Sequence, residues 1–199
     1  MYALVEDGSI TEIINNPKSM IIADVQYPAK IFQLWSQEEL NEIGIYEVIT
    51  DSSNYKDENW YINTNESYSF ADEKVTRSWG TATPKEYADK NATDENGDEL
   101  DPVVVIEGLK TKLIKDLKNQ VAVELAKTDW YITRNTEKST AIPSSISTHR
   151  DAVRTKQAEM ETLILNASDT PALETLYTYT KQDDGSVTRP LGELPILES

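Results

Sequence analysis

A chain of 199 residues, 38% apolar and 27% charged, has room for one large or two small domains and is too apolar for wholesale disorder. Its formal net charge of −16, from 35 acidic and 19 basic side chains, disfavours sequence-independent binding to nucleic acid or to an anionic bilayer. Cysteine is absent, which excludes disulfides, thiolate catalysis and cysteine-ligated metal sites.

The first half reads as short strands. Tyr2-Ala3-Leu4-Val5 and Ile10 to Ile14 flank Asp7-Gly8, a pair suited to the positive φ angles of a tight hairpin. Ile31 to Trp35 is apolar, and Ser36-Gln37-Glu38-Glu39 has capping-box spacing, which predicts a short helix to about Ile43, stopped by Gly44. Ile45 to Ile49 reads as a strand. Segments 60–64, 67–71 and 74–79 are rich in aromatic and β-branched residues and predict a small meander.

Charge then changes along the chain. Residues 1–101 carry 21 acidic and 7 basic groups, whereas residues 102–199 carry 14 and 12. The segment Asp89 to Pro102 is polar, acidic and closed by a helix-breaking proline, so it reads as a solvated linker over 89–102 between domains 1–88 and 103–199. Within it, Asp94, Asn96 and Asp98 alternate as in a calcium loop, but Glu99 and Val105 stand where such a loop needs glycine and glutamate.

The second half has helical period. Ile106, Leu109, Leu113, Leu117, Val121 and Leu125 recur every three or four residues, which predicts an amphipathic helix over 103–127. A loop from Thr128 to Pro143 is expected next, then a second helix marked by Ile146, His149, Val153 and Met160. Thr170-Pro171 reads as a cap and first helical residue opening a short third helix to about Tyr177. The proline-rich end, Arg189 to Ile196, is expected to be an extended arm. The fold class is therefore α+β: a small β-rich N-terminal domain, then a helical hairpin with a short third helix and an extended tail.

Chemistry is sparse. The seven glycines never fall within two positions of one another, so neither a dinucleotide fingerprint nor a phosphate loop is present. A lone histidine, His149, leaves hydrolytic triads and multi-histidine metal sites without members, and it reads as structural. No catalytic residue, cofactor or metal is expected. No apolar stretch reaches the ~20 residues that span a bilayer, and no signal-peptide pattern opens the chain, so membrane insertion and secretion are not expected either.

One region stands out. Thr128-Asp129-Trp130-Tyr131-Ile132-Thr133-Arg134-Asn135 is followed by Ala141-Ile142-Pro143 and by Thr148-His149-Arg150-Asp151-Ala152-Val153-Arg154. A helix, a "TDW" element with an arginine, then an "IP" element entering a helix with an "RxxxR" pair resembles the phage tail fibre assembly proteins. Met1 to Val5 and Leu34 to Tyr46 also resemble the opening domain of uncharacterised phage tail-associated proteins. The resemblance implies a non-enzymatic assembly factor, a chaperone that binds the fibre through the helical C-terminal region, or alternatively a structural virion component retained at the tail fibre, baseplate or adaptor. It implies the host cytoplasm during assembly, or the virion tail, as the location.

The residues expected to bind a partner or to fix the loop are Asp129, Trp130, Tyr131, Arg134, Arg150, Arg154, Leu117 and Val121. Trp130 and Tyr131 are expected to cap the hairpin core, since large aromatics are usually buried. Arg150 and Arg154 share a helix face, and Asp129 or Asp151 can neutralise them; a partner's carboxylate is the other reading. Leu117 and Val121 belong to a stripe expected to leave an apolar flank for a fibre chain or a second copy. The acidic half serves solubility or shields a basic fibre chain, with mimicry of DNA ranked below both.

Overall fold

A computed structural model describes residues 1–197. The architecture is α+β, a curled sheet in the N-terminal half followed by helices. The chain divides into two units, Met1–Thr83 and Pro84–Ser199. Among the described residues no helix is long and apolar enough to cross a membrane.

In the first unit, β1 (Tyr2–Glu6) and β2 (Ser9–Ile14) form the expected hairpin, with Asp7 and Gly8 at φ 50° and 75°. A second hairpin, β3 (Met20–Ile22) and β4 (Val25–Tyr27), turns through Ala23-Asp24 at φ 47° and 63°. No glycine marks this turn, so residue preferences did not reveal it. A single helical turn α1 (Ile31–Leu34) precedes α2 (Gln37–Glu42), which has a complete capping box between Ser36 and Glu39. Gly44 ends α2 at φ 84°, and a Cβ there would stand 2.5 Å from the Val5 carbonyl oxygen, so glycine is required by conformation and by contact.

β5 (Ile45–Thr50), β6 (Tyr61–Ile62), β7 (Ser67–Ala71) and β8 (Lys74–Ser78) follow. The five-stranded sheet has the order β2-β1-β5-β8-β7. β5 and β8 are parallel, and the other neighbours are antiparallel. The expected meander is therefore corrected: only β7 and β8 form a hairpin, and β6 stays outside the sheet. Period-2 alternation splits β1 between two cores. Leu4 joins Ile14, Met20, Ile31, Phe32, Leu40 and Ile45 under α1 and α2, while Ala3 and Val5 meet Val75 on the opposite face, beside Tyr46, Val48 and Phe70.

The second unit begins with a hairpin rather than a linker. β9 (Thr83–Pro84) straddles the division; β10 (Lys90–Asn91) then pairs with β11 (Val105–Ile106), and Thr93 bridges Glu99. The linker assigned to 89–102 is thus corrected: its acidic residues form a hydrogen-bonded excursion of the second unit. Asp94 closes the turn by accepting from the amides of Asn96 at 2.8 Å and Asp98 at 3.0 Å, and those bonds hold its carboxyl below the usual range.

α3 spans Leu109–Ala126, six residues shorter at its start than expected, because the β-branched run Val103 to Ile106 is extended and Gly108 is the N-cap. A Cβ on Gly108 would lie 2.4 Å from the Ala88 backbone, so this close approach also demands glycine. The missing cap side chain is replaced from a distance. Asp89 accepts from Gly108 N–H at 2.8 Å and from Thr111 Oγ1 at 2.9 Å. α5 (Ser144–Asn166) packs on α3, and α6 (Thr170–Tyr177) packs on α5. The α6 cap is Asp169, accepting from Ala172 N–H at 2.8 Å, one residue before the expected Thr170. Thr170 instead is buried, donating to the Lys85 carbonyl at 2.6 Å.

The tail is anchored rather than simply extended. β12 (Thr180–Lys181) pairs with β13 (Val187–Thr188) around Asp184-Gly185. Leu191, 1% exposed, then enters the helical core, and its N–H reaches the Leu176 carbonyl at 3.0 Å. The guanidinium of Arg189 lies over the rings of Tyr177 and Tyr179, 5.4 and 5.1 Å from their centroids.

Candidate partner-binding site

The segment Thr128 to Pro143 contains a helix, not a loop. α4 spans Asp129–Lys138. Its threonines and aromatics lower helix propensity, which hid it in the sequence. The Thr133 and Thr136 hydroxyls turn back onto the carbonyls of Asp129 and Ile132, at 3.3 and 3.0 Å, and so are compatible with the helix. Acidic Asp129 in the first turn and basic Lys138 in the last suit the helix dipole. Ser139, left-handed at φ 51°, stops it.

Arg150 ties α3, α4 and α5 together. Its Nη1 lies 2.7 Å from the Leu125 carbonyl, 2.7 Å from Thr128 Oγ1 and 2.8 Å from Asp129 Oδ1. Two N–H bonds on one nitrogen are thus shared among three acceptors, one of them charged. The site is favourable for a cation, since it meets the carbonyl end of α3 and a carboxylate at once. Arg150 is 8% exposed and Thr128 1%. Of the two carboxylates expected to face the arginine pair, Asp129 holds Arg150, whereas Asp151 meets the exposed Arg154 at 3.5 Å. Thr128 stands between a finished helical period and Asp129, a cap-like position in the sequence, and it is the N-cap of α4.

Beside this network, His149 Nε2 stands 3.3 Å from Glu124 Oε1, both side chains being largely buried. The geometry falls outside a well-formed hydrogen bond, and among the described residues neither atom has another hydrogen-bond partner. The other Glu124 oxygen takes a bond from Lys127. That bond and the Lys127 charge hold the Glu124 carboxyl below its usual range despite burial. An open cleft of about 460 Å³ runs past this point, lined by Ser144, Ser145, Thr148, His149 and the tail residues Ile196 and Leu197.

Trp130 is not a core residue. It is 53% exposed, and α4 buries none of its side chains. Its ring lies 4.6 Å from that of half-buried Tyr131, and the Arg134 guanidinium sits 5.4 Å over it. The expected capping of the core by Trp130 and Tyr131 is therefore corrected. Leu117 and Val121 depart from expectation in the opposite sense: at 3% and 4% exposure they are core residues of the second unit, not an available flank.

The structure thus separates the sequence-predicted residues into three sets. Asp129 and Arg150 fix the α3–α4 junction, Leu117 and Val121 fill the core, and Trp130 and Arg134 form an aromatic and cationic surface beside half-buried Tyr131, with Arg154 exposed on α5. Comparison with protein-family models, with curated proteins and with solved structures finds no match.

Proposed function

We propose that the chain is a tail fibre assembly protein of a tailed phage, a factor without catalytic activity that holds the fibre through α4 while the fibre folds or is attached. The observation that carries this reading is the division of labour within the motif that bears the family resemblance. Arg150 braces Asp129 and Thr128 from inside, and Trp130, which follows directly, is left on the surface. Exposed Trp130 and Arg134 beside half-buried Tyr131 supply large contact area at low ordering cost, and Trp, Tyr and Arg are the usual composition of a binding hot spot. An acidic first half, net −14 over residues 1–101, keeps such a factor soluble and suits a basic client.

The test is co-expression with the neighbouring fibre gene. A Trp130→Ala/Arg134→Ala variant should keep the helical circular dichroism of the parent and lose soluble fibre trimer. Unchanged fibre yield would count against the proposal. The composition of purified particles decides between a factor that departs and the alternative of a component retained at the fibre, baseplate or adaptor.

A further inference from the structure

The end of β5, the segment 51–63 and the end of β8 enclose an open cleft of about 420 Å³ in the first unit. Its wall is aromatic. The rings of Tyr55 and Trp79 meet edge to face, with centroids 4.8 Å apart at 64°. The Arg77 guanidinium lies 4.5 Å from the Trp79 ring centroid, and its Nε donates to Glu66 Oε1 at 2.8 Å. Glu66 also accepts from the Tyr68 hydroxyl at 2.6 Å, and the Tyr55 hydroxyl donates to Glu58. The backbone is braced as well. Asn63 clasps Lys56 by accepting from its N–H at 2.9 Å and donating to its carbonyl at 2.8 Å, and Asn54 donates to the Trp79 carbonyl at 3.1 Å. The cleft is thus organised before a ligand arrives, which lowers the ordering cost of binding.

Charge selects the ligand class. A cation entering the cleft meets Arg77. An anion meets Glu58 and Glu66, and the bonds from Tyr68 and Arg77 hold Glu66 below the usual carboxyl range, so it is ionised at neutral pH. What remains is a neutral molecule with an apolar face for the rings and many hydroxyls for the carboxylates, the guanidinium and the exposed Thr50 and Ser52. The volume lies within the range of small-ligand pockets.

We propose that this cleft binds a neutral saccharide, with Tyr55 and Trp79 packing against the C–H face of a sugar ring and Glu58, Glu66 and Arg77 bonding its hydroxyls. The site lies wholly in the first unit and stands independently of the fibre-assembly reading of α4.

The experiment titrates the ¹⁵N-labelled full-length chain with maltose, cellobiose, lactose and chitobiose in separate arms, and with tetramethylammonium and acetate as charged controls. The readout is the indole N–H resonance of Trp79, identified by its loss in Trp79→Phe. At least one disaccharide should shift it saturably at millimolar concentration, leaving the resonances of Trp35, Trp60 and Trp130 in place. Tyr55→Ala should weaken that binding about tenfold, the scale of one lost ring contact. Thr50→Val and Ser52→Ala, which remove single exposed hydroxyls, form a second series and should weaken it a few-fold should Tyr55→Ala fail to fold. The proposal is overturned if no disaccharide moves Trp79 at tens of millimolar, if a charged control moves it while the sugars do not, or if sugar affinity survives all the substitutions of folded variants unchanged.

Discussion

Arg150 and Trp130 lie in the same sequence motif and carry opposite energetic roles. Removing the Arg150 side chain takes away at once the charge-assisted bonds to the Leu125 carbonyl, the buried Thr128 hydroxyl and Asp129, so Arg150→Ala should cost about 2 to 4 kcal/mol in chemical denaturation of the helical unit. Asp129, whose side chain is 59% exposed, is screened by water, and Asp129→Ala should cost under about 1 kcal/mol. The two changes should be less than additive, because they break one network. A fully buried tryptophan loses about 3 to 5 kcal/mol on truncation to alanine. Trp130 is half in water, so Trp130→Ala should cost only about 1 kcal/mol, the value of its tilted ring contact with Tyr131. A loss for Trp130→Ala as large as that for Arg150→Ala would return the ring to the scaffold and remove the basis for reading α4 as an interface.

Among the elements, α3 is held at both ends by carboxylates. Asp89 caps its start, and its carboxyl is kept below the usual range by the bond from Gly108 N–H, then by that from Thr111 and by the charge of Lys115. Glu124 near its end is held low chiefly by Lys127. A depressed folded-state pKa contributes stability that is present above the unfolded value and is lost as pH falls through the folded one. Thermal or urea unfolding of the helices should therefore weaken progressively from about pH 5 downward. Asp89→Asn combined with Glu124→Gln should flatten that dependence while lowering stability at neutral pH. A parent and variant with parallel stability curves from neutral pH to below about pH 5 would show that neither carboxylate is linked to folding. Legibility also varied by element. The capping box of α2 and the period of α5 were plain in the sequence, because each is a local pattern. The cap of α3 was not, since Asp89 lies 19 residues from the amide it satisfies.

For the whole molecule, the division after Thr83 has a direct consequence. The hairpin of Lys90–Asn91 with Val105–Ile106 and the bonds from Asp89 to Gly108 and Thr111 are made inside the second unit. Residues 84–199 expressed alone should show a helical far-UV spectrum and a cooperative melt, whereas a chain beginning at Val103 should be less stable because it lacks Asp89 and β10. Equal stability of the two fragments would restore the acidic segment to the status of a linker.

The sequence by itself determined the class of fold, the Asp7-Gly8 hairpin, the capping box at Ser36 and the long helices at α3 and α5. Each rests on periodicity or on turn and cap chemistry within a few residues. Tertiary structure decided the rest. It ordered the sheet β2-β1-β5-β8-β7, with β5 and β8 parallel, because strand neighbours depend on pairings distant in the chain. It made a helix of Asp129–Lys138 against local propensity, through the anchoring of its first turn by Arg150. It also placed Trp130 in water and Leu117 in the core, although both are large and apolar: helical period identifies a face, and only packing decides whether another element covers it.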